Sequence, residues 1–123
     1  MTPDELMHAI NNECAHLWMV RTFLKHCEEA EEDEELREIP RGVYDYCLAL
    51  GPGWHEQNAE TFLRAAKRKF TKLKKTSELF QEIQPDVSTH TNFQMAALSL
   101  QLAVEKIEAL LEIHKQRKQE AKG

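Results

Sequence analysis

The chain has 123 residues, of which 41% are hydrophobic and 30% charged, and it carries a formal net charge of −5. That length can bury a core without metal or disulfide staples, and the composition excludes a disordered chain. The negative balance argues against a dedicated nucleic-acid binder, and no apolar run approaches the ~18 residues of a membrane span.

Only four Gly and four Pro punctuate the sequence, so its elements must be few and long. Thr2-Pro3-Asp4-Glu5 starts the first. Thr2 can cap, Pro3 suits the first helical position, and Glu5 stands where a capping-box carboxylate reaches back. Leu6, Ile10, Leu17 and Leu24, flanked by Met7, Cys14 and Val20, then form one stripe to about Cys27. In the second helix Leu36, Ile39, Val43, Tyr46, Cys47 and Leu50 keep the helical period, but Pro40 and Gly42 interrupt it. A kink or break is predicted near Pro40.

Gly51-Pro52-Gly53 reads as the next break. The third helix follows as Ala59, Leu63, Ala66, Phe70, Leu73, Ser77 and Phe80, and should end before Pro85. Ser88, Thr89 and Thr91 offer caps for a fourth helix, which runs to about Gln119 before a polar tail frays. Short connections between four helices predict an all-α, antiparallel up-down-up-down four-helix bundle. Residues 1–123 then form a single domain.

The fourth helix is apolar on two faces. Phe93, Ala97, Leu100, Val104, Ile107 and Leu111 form a core stripe. At ~100° per residue, Met95, Leu98, Leu102, Ala109 and Ile113 fall on the opposite side. Ala15, Trp18, Met19 and Phe23 likewise lie off the core stripe of the first helix. These two strips predict a homodimer through the outer faces of the first and fourth helices. The competing expectation places the fourth helix centrally, with the second packed behind it.

Charge is segregated. Glu28–Glu38 holds eight acidic residues, and Arg64–Lys75 holds seven basic ones. Folded about Gly51–Gly53, Glu38 would lie near Lys67 and the two runs would meet. The basic face of the third helix leaves RNA as a less favoured partner. Glu13 and Arg21 both project near the apolar stripe of the first helix, which predicts interior polar residues with partners on other helices. Glu13 levels with Arg68, Lys69 or Lys106, and Arg21 with Thr76 and Ser77.

Glu5/His8 and Glu13/His16 have Glu-x-x-His spacing. That fragment resembles the motif of carboxylate-bridged di-iron bundles, which place the two motifs on different helices. A second metal alternative gathers Glu5, His55, Glu56 and His114 at one end of the bundle. Arg21 and His26, within Arg-Thr-Phe-Leu-Lys-His, resemble the Arg-x4-His motif of HEPN-type helical ribonucleases. The resemblance implies an Arg and a His acting on RNA, usually from two chains of a dimer.

Cys14, Cys27 and Cys47 are odd in number and lack CxxC spacing, so they read as reduced, buried small hydrophobes. No nucleophile elbow or Gly-rich phosphate loop occurs. The expectation is a cytoplasmic, non-enzymatic protein without a cofactor, acting through self-association and a protein partner.

Overall fold

A computed structural model describes residues 1–122. Those residues form six helices and no strand: α1 (Pro3–Lys25), α2 (Glu29–Glu32), α3 (Glu34–His55), α4 (Ala59–Arg68), α5 (Phe70–Val87) and α6 (Thr91–Lys122). The chain is all-α, as its periodicity predicts, but with six helices where four were expected.

The start of α1 follows its sequence closely. Thr2 accepts the Glu5 N–H at 3.1 Å while Glu5 accepts the Thr2 N–H at 2.9 Å, and Pro3 begins the helix. Two of the helix's four orphan donors are thereby satisfied. Cys27 and Glu28 connect to the short α2, which the sequence reading did not anticipate. Asp33 then caps α3 by accepting the Leu36 N–H at 3.0 Å.

The expected break at Pro40 is absent, because α3 runs unbroken from Glu34 to His55. It also continues through Gly51-Pro52-Gly53, which was the expected turn. Each proline removes only one ladder bond. Tertiary packing of α3 against α1, α4 and α5 outweighs that local preference. Among the described residues no glycine has a positive φ, so Gly42, Gly51 and Gly53 do not act as left-handed helix stops. The reversal comes at Glu56–Asn58 instead, where Gln57 takes the left-handed conformation with φ 52°. Asn58 caps α4 by accepting the Thr61 N–H at 3.1 Å.

Gly53 serves a different purpose. A Cβ there would lie 2.6 Å from the backbone N and Cα of Phe62, so glycine allows α3 and α4 to touch backbone to backbone. Tyr46 strengthens the same joint by donating its buried hydroxyl to the Ala66 carbonyl at 2.9 Å.

The expected third helix is divided. Lys69 ends α4, donating its N–H toward the Ala65 and Lys67 carbonyls, and α5 starts at Phe70. Pro85 lies within the last turn of α5 and does not stop it short. At the start of α6, His90 Nδ1 accepts the Asn92 N–H at 3.0 Å, a role expected of Ser88, Thr89 or Thr91. The last helix extends to Lys122, beyond the expected end near Gln119.

Leu6, Ile10 and Leu17 of α1, Leu36 and Ile39 of α3, Leu63 of α4, Phe80 of α5, and Leu100 and Ile107 of α6 are almost wholly buried together. Around this core α1 packs against α3 and α6, α3 against α4 and α5, and α5 against α6. The alternative with α3 behind α6 is therefore not what forms. Among the described residues no helix is long and apolar enough to cross a membrane.

Candidate functional site

The buried side of α6 includes Leu100, Ala103, Val104 and Ile107. Directly opposite, Met95, Leu98, Leu102 and Ile113 are 37–56% exposed, and Ala109 is exposed in line with them. Successive spacings of three, four, seven and four place all five on one helical face. On α1, Met19 is 66% exposed and Ala15 is exposed. Phe23 behaves differently from the expectation. It is half-buried and meets Phe93 edge to face at 5.1 Å, so it belongs to the joint between α1 and α6. Trp18 turns toward α3, where its ring lies 6.0 Å from that of Tyr44.

Arg21 explains that turn. Its guanidinium carbon lies 4.4 Å from the Trp18 ring centre and 5.0 Å from that of Tyr44. The ring faces supply the negative potential expected from an interior partner, and such contacts contribute ~0.5–2 kcal/mol. The predicted approach to Thr76 and Ser77 does not occur. Thr76 sits instead against Gly42 and donates its hydroxyl to the Lys72 carbonyl. Among the described residues no carboxylate pairs with Arg21, and Glu13 is half-buried without the expected basic partner.

Arg21 also borders a cleft of about 490 Å³ between α1, α2 and α3. Lys25, Ala30, Glu31, Arg37, Pro40, Arg41, Tyr44 and Asp45 complete its wall. Arg37 donates to the Glu31 carbonyl at 3.2 Å and stands 3.8 Å from the Glu34 carboxylate. Arg41 pairs with Glu38 at 3.5 Å on the surface. His26 is the exposed C-cap residue of α1 and does not line the cleft. Five positions along a helix separate two side chains by ~140°, so Arg21 and His26 are not gathered within one chain.

A second cavity, of about 310 Å³, brings together two cysteines from neighbouring helices. Cys14 of α1 and Cys47 of α3 share it with Trp18, Gly51 and Trp54, and all three cysteines are free and half-buried. The Cys47 thiol is held below its ordinary value by a hydrogen bond from Cys14 and by the Arg21 charge, against the cost of burial. Cys14 is correspondingly raised, by that bond and by burial. Spacing along the chain gave no sign of this pair, because it depends on the register between α1 and α3.

The proposed metal groups are not assembled. Glu5 belongs to the capping box, where the Thr2 hydrogen bonds lower its carboxyl. His8 lies 2.8 Å from the Asp4 carbonyl and edge-on to Trp54, while His16, His55 and Glu56 are exposed. His114 borders a third cavity, between α6 and the α4–α5 joint. Its Nδ1 is buried without a partner, and burial, then Lys118, Arg117 and Lys67, lower its basicity. Among the described residues no three His, Cys, Asp or Glu side chains come together as metal ligands.

The charge runs do not meet as expected either. Ion pairs are local, Glu34–Arg37, Glu38–Arg41 and Glu60–Arg64, apart from Lys74 of α5, which reaches Glu108 of α6 at 2.8 Å. Glu38 and Asp45 share a surface groove with Lys72 and Lys75, whereas Lys67 lies at the α6 end. Moving the reversal from Gly51–Gly53 to Glu56–Asn58 produces that change of register.

Comparison of the chain with protein families, curated proteins and solved structures finds no significant match.

Proposed function

We propose that the protein is a non-enzymatic, cytoplasmic homodimer whose α6 outer face, extended by Met19 and Ala15 of α1, forms the contact between subunits. The observation that carries this reading is the line of Met95, Leu98, Leu102, Ala109 and Ile113 opposite a fully buried stripe of the same helix. A helix apolar on both sides requires cover on both, and the chain supplies it on one. A two-fold pair covers a self-complementary patch by the commonest route, with Leu98 and Leu102 at its centre. In this reading α1, α3, α4 with α5, and α6 act as four antiparallel rods. The ring of neighbours from α1 through α3 and α5 to α6 supports that arrangement. A further protein partner would dock on the assembled dimer.

Light scattering on the intact chain at about 10 µM, where even a moderate interface is populated, tests the proposal. The expected mass is twice 14.3 kDa. A Leu98→Asp, Leu102→Asp variant should halve that mass while keeping its helical content, because both side chains already face water in the monomer. A monomeric wild type overturns the reading, and so does a double variant that keeps the wild-type mass.

A further inference from the structure

The cavity that holds Cys14 and Cys47 lies between two helices whose register is fixed on either side of it. His8 of α1 meets Trp54 of α3 with ring centres 5.1 Å apart, and Trp18 of α1 meets Tyr44 of α3 at 6.0 Å. The two contacts are equally spaced along α1 and α3 but run in opposite directions, so the helices are antiparallel and in step. Cys14 and Cys47 fall between these contacts, opposite each other. Asn11, Cys14 and Trp18 share one face of α1, and Cys47, Gly51 and Trp54 share one face of α3, by the same helical spacings.

Both thiols are half-buried, and the cavity of about 310 Å³ far exceeds the ~30 Å³ that a water occupies in the liquid. A small oxidant therefore has room beside both sulfurs. The two sulfurs differ in character. Cys47 accepts a hydrogen bond from Cys14 and feels the Arg21 charge, which together outweigh the cost of burial, so it holds the greater share of thiolate. Cys14 keeps its proton through the same bond, through burial and through the nearby Glu13 carboxylate. The thiolate is the nucleophile, and redox-active cysteines place such a sulfur next to a resolving one. Cys27 has neither feature. It lies outside the cavity, donates to the Leu24 carbonyl at 3.1 Å, and is raised by burial.

We propose that Cys14 and Cys47 form a peroxide-reactive dithiol, in which Cys47 attacks a small hydroperoxide and Cys14 closes a disulfide between α1 and α3. In the first step the Cys47 sulfur bonds to the terminal peroxide oxygen as the O–O bond breaks. The departing hydroxide or alkoxide takes up the proton that Cys47 released. Cys47 is thereby oxidised to a sulfenic acid, and the peroxide is reduced to water or an alcohol. In the second step the Cys14 sulfur attacks Cys47, the S–S bond forms as the S–O bond breaks, and hydroxide leaves as water with the Cys14 proton. A thiol reductant restores both cysteines by exchange. The cavity shares Ala15 with the proposed dimer contact but draws nothing from α6, so the dithiol does not depend on self-association.

Treatment of the intact, reduced chain with hydrogen peroxide tests this, by thiol titration, by peptide mapping and by the emission of Trp18 and Trp54, which line the cavity. The free thiols should fall from three to one, with Cys14 joined to Cys47 inside a single chain and Cys27 left free. Tryptophan emission should drop at the same rate, since a disulfide beside the rings quenches them, and should recover with a thiol reductant. Cys14→Ser should leave Cys47 as a sulfenic acid that dimedone traps. Cys47→Ser should slow peroxide consumption ~10-fold or more, and Cys27→Ser should change neither result. Mapping of the wild type reads the pair directly, so the outcome does not hang on a serine variant folding. The proposal is overturned if all three thiols survive excess peroxide, if they oxidise at equal rates, or if the disulfide involves Cys27 or joins two chains. Failure of dimedone to label Cys47 in a Cys14→Ser variant of wild-type helical content overturns it as well.

Discussion

Helices α3 and α6 are the two long elements on either side of α1, and they use their surfaces in opposite ways. On α3 the informative residues are the smallest. Gly42 meets the Thr76 side chain of α5, and Gly53 meets the Phe62 backbone of α4, so the glycines mark where this chain approaches itself most closely. On α6 the informative residues are large. Met95, Leu98 and Leu102 mark where the chain meets nothing of its own. A missing side chain on one helix records a contact within the chain, and the surplus ones on the other are what the proposed dimer would cover.

The sharpest way to break this comparison is to fill the α3 contact. Gly53→Ala places a methyl 2.6 Å from Phe62 backbone atoms, which no rotamer change can relieve. Separating α3 from α4 should destabilise the protein by ~3 kcal/mol or more, read as a fall in the denaturation midpoint. A wild-type midpoint would show that the two helices are not in backbone contact.

The second test sets one exposed leucine against another. Leu48 on α3 is 60% exposed and Leu98 on α6 is 44% exposed, so exposure alone ranks Leu48 as the better contact residue. Leu48 stands beside the charged Asp45, Lys69 and Lys72, whereas Leu98 has Met95 and Leu102 as its neighbours on the helix face. Leu98→Asp should raise the dimer dissociation constant ~10-fold or more, and Leu48→Asp should leave it unchanged. Equal effects, measured by sedimentation, would remove the distinction between the two helices.

The same contrast separates what the sequence disclosed from what it concealed. The Thr2–Glu5 capping box and the double stripe of α6 depend on spacing within one helix, and both were legible. The joint at Gly53 was not, because Gly-Pro-Gly resembles a turn unless the approach of α4 is known. Mistaking that joint for the reversal moved every predicted partner across α3 and α5, so Glu38 was set against Lys67 in place of Lys72 and Lys75. Arg21 was expected to find a polar partner on another helix, whereas it lies over the ring of Trp18, three residues away on its own helix. Tyr44 and the facing of Cys14 on Cys47 required the register of α1 on α3, which no local pattern encodes.

Gly51 supplies a smaller test on α3 itself. Unlike Gly53, it has open space where a Cβ would stand, yet it sits in the interior of the helix. Gly51→Ala should therefore cost far less than Gly53→Ala, because the ~0.5–1 kcal/mol gained by replacing a helical glycine is offset only by the crowding of the new Cβ against the ring of Pro52. Equal destabilisation by Gly51→Ala and Gly53→Ala would mean that both glycines serve a turn, as the sequence alone suggested.

The smallest effect is expected on α6, at the end that extends toward α4. His114 faces Lys67 from α4 and Lys115 and Lys118 from its own helix, with Glu108 and Glu112 lining the same cavity. Burial and the neighbouring cations hold its basicity below the ordinary 6.5, so the unfolded chain takes up the proton first as pH falls. The sign follows from linkage. The contribution of neutral His114 to stability is complete above pH 6.5 and declines below it, until the folded protein also binds the proton. His114→Gln should flatten the stability profile between pH 6.5 and about 5, above the range where most carboxylates titrate. Denaturant midpoints of the two proteins across that window make the comparison. Parallel profiles would mean that the unpartnered Nδ1 is solvated and that this end of α6 is as open as its outer face.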